Sequence, residues 1–152
     1  MENLITLQVV HIDKNIAWHI SKKIERTIDT FMCSTNVLTV SGELYNIDGN
    51  GSRVAPIMYG PRQVILVLGI NKIVRDLDEA EKRVRQYVAP LDAIRLGKET
   101  PCTALGYCTD CASPNRICND FVVIKGQFVK GRIKVIIIKS IWVISKKDKG
   151  KA

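Results

Sequence analysis

The pentapeptide VILVL at Val64–Leu68 constrains the fold more than any other stretch. A strand with one wet face alternates apolar and polar residues. An unbroken apolar run of this length instead reads as a parallel strand buried on both faces. A helix signal follows it. Asp76 offers an N-cap, and Glu79 stands three residues on, at capping-box spacing. Leu77, Ala80, Val84, Tyr87 and Val88 share one helical stripe, and Glu79 with Arg83 and Glu81 with Arg85 form i,i+4 pairs. Pro90 is expected to break or kink this helix, leaving a short second piece over Leu91–Leu96 closed by Gly97. A buried strand feeding an amphipathic helix, with strands before and after, places the chain in the α/β class.

Those other strands are expected at Phe31–Val40 and Glu43–Ile47, joined by a Ser41-Gly42 turn, and at Phe121–Ile124 and Ile133–Ile138. Ser52 is the expected cap of a short helix running to Tyr59, which Gly60-Pro61 ends. Upstream, Met1–Ile12 leans toward strand. Ile16, Ile20, Ile24 and Ile28 mark an amphipathic helix over Lys14–Ile28. Hydrophobic residues make up 46% of the chain and charged residues 25%, the balance of a soluble globule rather than a disordered chain. No apolar run approaches the roughly 20 residues a membrane span needs, because Lys134, Lys139 and Ser140 interrupt the apolar stretch Ile133–Ile144. Glu2 stands where a secretory signal would carry basic residues, so a cytoplasmic protein is expected.

The net charge of +8 is unevenly placed. Between Lys139 and Ala152 there are five lysines and one aspartate, which reads as a solvated tail, disordered toward its end. Aromatic residues are 6% and scattered, so the stacking platform of a nucleic-acid binder is not expected.

Three groups of residues carry chemistry. Cys33 stands alone, but Cys102, Cys108, Cys111 and Cys118 crowd a loop over Lys98–Asn119 that has no hydrophobic period. Four thiolates at this spacing suit a tetrahedral zinc site or an iron–sulfur cluster, and such a crosslink would order a loop without a core of its own. Redox disulfides and four reduced, unligated thiols are the alternatives. The second group is the turn Asn46-Ile47-Asp48-Gly49-Asn50-Gly51-Ser52-Arg53. A glycine-rich turn leading into a helix exposes N–H groups that suit phosphate or carboxylate. Arg53 would add a bidentate contact, and Asp48 or Asn50 would bind a hydroxyl. A plain turn with no ligand is the competing reading, since Gly49-x-Gly51 is too short for a dinucleotide fingerprint. Third, Asn71 and Lys72 follow the buried strand at its carboxyl end, where open α/β sheets place ligands. Asp76, Asp78, Glu79 and Glu81 read as acidic residues favourably placed in the first turns of a helix. His11 and His19 read as structural or solvated, and no nucleophile elbow is present.

The run GELYNIDGNGSRVAPIMYGP, then VILVLGINKIVRDLDEAEKRVRQYVAPLDAIRLGKETPC, then CTDCASPNRICN resembles the LUD-domain family of lactate-utilisation proteins. The resemblance spans Ser34–Ile138 and leaves residues 1–33 a poorly matched segment and 139–152 a divergent tail, as in a shortened member. It implies a partial Rossmann-like α/β fold, with a mostly parallel sheet of the kind seen in CoA-transferases and sugar-phosphate isomerases. It also implies a cytoplasmic role beside iron–sulfur partner proteins, as an accessory or electron-transfer component in oxidising lactate or a similar small hydroxy acid. A metal-binding interaction module and a CoA-transferase-like enzyme acting on a small anionic metabolite are the alternatives. With one strong helix to cover its strands, the domain is also expected to self-associate or to be marginally stable.

Overall fold

The structure, a computed structural model, describes residues 29–139. The segments expected at Met1–Ile12 and Lys14–Ile28, both histidines and the lysine-rich tail from Ser140 onward lie outside the described residues. In chain order the elements are β1 (Thr30–Cys33), β2 (Val37–Thr39), β3 (Leu44–Asp48), α1 (Val54–Met58), β4 (Gln63–Gly69), a 3-10 turn (Ile70–Lys72), β5 (Ile73–Val74), α2 (Leu77–Arg83), a π turn (Val84–Val88), α3 (Ala89–Arg95), α4 (Pro101–Leu105), β6 (Asp120–Ile124) and β7 (Ile133–Ile138).

The fold is α/β, and its strands form two sheets. The first is fully parallel, in the order β1-β4-β7, with the VILVL strand at its centre. The second is mixed, in the order β5-β2-β3-β6, with β2 parallel to β5 and antiparallel to β3, and β3 antiparallel to β6. The alternation of side chains along each strand sets the layers. Leu38 and Leu44 on one face of the second sheet join Phe31, Val64, Leu66, Leu68 and Val135 of the first in one core. Val37, Tyr45 and Ile47 on its other face pack with Val74, Ala80 and Val84, so α2 covers that side. Within VILVL, Val64, Leu66 and Leu68 are fully buried, while Ile65 and Val67 are half-buried. The strand is parallel and central as expected, but the expectation that both its faces are buried holds in full for one face only.

Several local expectations are corrected too. The single strand expected over Phe31–Val40 is two strands in different sheets, broken at Ser34-Thr35-Asn36. Polar side chains replace the ladder there: Asn46 Oδ1 accepts from the Asn36 N–H at 3.2 Å, and Asn36 Oδ1 accepts from the Ile47 N–H at 2.9 Å. Pro90 does not end the helix. The π turn over Val84–Val88 shifts the hydrogen-bond register just before it, and Pro90 enters near the start of α3. The capping box is displaced by one residue: Asp76 accepts from the Glu79 N–H, but Glu79 reaches back to the Arg75 N–H. Of the two i,i+4 pairs, Glu81–Arg85 forms at 2.7 Å, while Arg83 lies over the Tyr87 ring. The cysteine-rich segment is not all loop, because Pro101–Leu105 is a helical turn capped at Thr100 and closed by Gly106 at φ +82°.

Arg132, buried at the start of β7, was given no role by sequence reasoning. Its guanidinium donates to the carbonyls of Pro56, Ile57 and Pro61 at 3.1, 2.7 and 2.9 Å. It thereby satisfies the carboxyl end of α1 and ties it to the parallel sheet.

Candidate functional site

β1 ends opposite the middle of β4, where Cys33 pairs with Leu66, and β4 runs on to Gly69 past that end. The chain leaves β1 at Ser34 and leaves β4 through the Ile70–Lys72 turn. Lys72 turns back across this end, and its Nζ donates to Ser34 Oγ and to the Thr35 carbonyl, each at 2.9 Å. Arg53 arrives from the start of α1. Its Nη1 donates to the Ser34 carbonyl at 3.0 Å and Asn46 Oδ1 at 2.7 Å, and its Nη2 donates to Asn36 Oδ1 and the Ile47 carbonyl, both at 2.7 Å. Ser34 is thus held by two cations at once. Among the described residues no carboxylate lies at ion-pair distance from either.

The electrostatics follow from that crowding. Burial, then the charges of Arg53 and Arg83, lower the Lys72 pKa to about 8. Cys33, whose side chain belongs to the core face of β1, is pushed up to about 12 by burial, against the pull of Arg53 and Lys72. It is a protonated thiol at neutral pH and not a nucleophile.

The glycine turn is built from within. Asp48 Oδ1 accepts the N–H groups of Gly49 at 2.7 Å and Asn50 at 3.4 Å, and Oδ2 accepts those of Arg53 at 3.0 Å and Val54 at 3.2 Å. The donors that would cradle an anion are therefore turned onto a carboxylate of the chain itself. Asp48, and not Ser52 as expected, satisfies the start of α1. Asn50 Oδ1 accepts from the Ser52 N–H at 3.2 Å. Gly51 has φ +74°, the left-handed value that favours glycine. Gly49 is favoured for a different reason, since a Cβ there would lie a tight 3.3 Å from the Ile117 carbonyl oxygen. Asn46 is fully buried, and its Oδ1 also lies 3.0 Å from Thr35 Oγ1, while its Nδ2 has no partner.

Of the residues singled out in the sequence, the structure brings Asn46, Arg53 and Lys72 into one polar cluster around Ser34, and Asp48 holds the Arg53 backbone. Asn71 departs from it, lining a shallow groove of about 300 Å³ with Lys82, Arg83 and Tyr87. Ser34, Thr35 and Asn36 were missed. The signal was present, because three short polar residues in a row end a strand more readily than they continue it.

The four clustered cysteines meet elsewhere, under α3. Cys102, Cys108, Cys111 and Cys118 all line one cavity of about 10 Å³, beside Thr100 and Arg116. Among the described residues, no three His, Cys, Asp or Glu side chains stand as a group able to hold a metal ion. The thiols share a cavity without being drawn into ligand positions.

The LUD domain family matches residues 13–138, most of the chain, and the match begins upstream of Ser34. The chain is a LUD-domain protein. No curated protein matches it, and no solved structure does. The family relates this LUD domain to lactate utilisation. Among its described residues no helix is long and apolar enough to cross a membrane.

Proposed function

We propose that this LUD domain is an accessory component in the oxidation of lactate or a similar small hydroxy acid, and that it holds the carboxylate of that acid beside Lys72 and Ser34. The observation that carries the reading is the convergence of Arg53 and Lys72 on Ser34 without a carboxylate partner. Two neighbouring cations repel, and a bound anion would relieve that repulsion and stabilise the Lys72 ammonium. Arg53 has its terminal nitrogens engaged with chain acceptors and positions the strand end. Lys72 spends two of three donors on the chain and has one left for a ligand. The carboxyl end of a parallel sheet is the usual place for such a ligand. Partner iron–sulfur proteins in the cytoplasm would then take the electrons.

The experiment is a thermal-shift panel at neutral pH with lactate, pyruvate, inorganic phosphate, a sugar phosphate and CoA. Lactate or pyruvate should stabilise the protein in a saturable way, and Lys72→Met should abolish the shift. Stabilisation by CoA or a sugar phosphate alone would replace this reading with a CoA-transferase-like one. No shift with any of the five would leave the cluster a structural brace.

A further inference from the structure

From the cysteine cavity we infer a binding site for a single thiophilic divalent ion of the zinc class, with Cys102, Cys108, Cys111 and Cys118 as its four ligands. The site is independent of the Lys72 cluster and of the reading built on it.

Each cysteine residue already has a polar contact, Cys102 and Cys108 through sulfur, Cys111 and Cys118 through their carbonyls to one arginine. Cys102 Sγ lies 3.1 Å from Thr100 Oγ1 at the start of α4. Cys108 Sγ accepts the Asp110 N–H at 3.3 Å. Asp110 is the one described non-glycine residue with positive φ, at 49°, so a strained backbone aims that N–H at the sulfur. Arg116 donates to the Cys111 carbonyl at 2.7 Å and, through Nε and Nη2, to the Cys118 carbonyl at 3.2 and 2.7 Å. The Arg85–Asp110 ion pair, at 3.1 Å, anchors the turn to the helical layer.

The cavity of about 10 Å³ has the room of one water-sized sphere, enough for one ion as the thiols close on it. A set of four sulfur ligands disfavours magnesium and calcium, which prefer oxygen. The thiols are not yet gathered as ligands, so binding has to draw the loop in. Closure of this kind makes metal affinity part of the loop's stability.

The test is a titration of the reduced full-length protein with Co(II), a coloured probe for zinc sites, under anaerobic conditions, followed by Zn(II). The expected result is one equivalent bound, with the intense visible bands of tetrahedral cobalt, thiolate-to-metal charge transfer in the near ultraviolet, and bleaching by one equivalent of zinc. Cys108→Ser with Cys111→Ser should weaken binding at least tenfold, while Cys33→Ser should leave it unchanged. In case the double variant does not fold, alkylation of the wild type gives a second readout: zinc should slow the alkylation that Cys102, Cys108, Cys111 and Cys118 undergo in the metal-free protein. Failure to bind cobalt, a weak octahedral spectrum, equal binding by the double variant, or alkylation unchanged by zinc would each overturn the site. So would uptake of iron and sulfide in preference to zinc.

Discussion

Asp48 accepts four backbone N–H groups, and no other side chain in the turn could replace it. Asp48→Ala should therefore cost about 2 kcal/mol, the range of a lost cap with buried donors left behind, measured by urea denaturation. Gly51→Val should cost about 1 kcal/mol or more, because a β-branched residue resists φ near +74°. Lys72 is better read through pH. Its pKa falls from 10.5 in the unfolded chain to about 8 in the fold. Between those values unfolding takes up a proton, so this group makes the fold more stable as pH rises through that window. Below pH 8 the fold carries the full cost of the buried charge, about 3 kcal/mol. An NMR titration should find the Lys72 side chain changing with a midpoint near 8. A midpoint near 10.5 would mean the amine is solvated and the cluster open.

At the scale of elements, the sequence was most legible where one residue sets a boundary by itself. Asp76 caps α2, Gly97 closes α3 at φ +65°, and Ile133–Ile138 is a strand to the residue. It was least legible where distant residues decide together. The break at Ser34-Thr35-Asn36 depends on Asn46, ten or more positions away, and on Arg53 beyond it. No window of neighbouring residues contains that information. Helix continuity through Pro90 likewise depends on a π turn whose extra residue leaves no mark on the hydrophobic stripe. Arg132 shows the same limit, since a basic residue after Gly131 looks like surface until α1 presents its carbonyls. Arg132→Lys should destabilise by about 2 kcal/mol, because an ammonium cannot span three carbonyls that a planar fork reaches, and chemical denaturation would show it.

For the whole molecule, the parallel sheet, the mixed sheet and the helical layer leave β4 with Ile65 and Val67 only half-buried, and β6 at an edge with Phe121 and Val123 exposed. An apolar edge strand of this kind should make the protein associate with itself as concentration rises, which sedimentation velocity would record as a growing weight-average mass. The candidate site stood partly in view from the sequence: Asn46, Asp48 and Arg53 were singled out in a glycine turn suited to an anion, and Lys72 separately as a ligand contact after the buried strand. The structure uses the backbone of that turn to hold it and leaves the cations around Ser34 as the chemically open part.

Calorimetric titration of lactate into the protein at about pH 7 and at about pH 9.5 bears most directly on the proposed role. A carboxylate held by the Lys72 ammonium should bind with one site per chain at the lower pH and roughly thirtyfold more weakly at the higher, where an amine of pKa about 8 has lost its proton. Equal affinity at both pH values, or binding that survives Lys72→Met, would contradict the account.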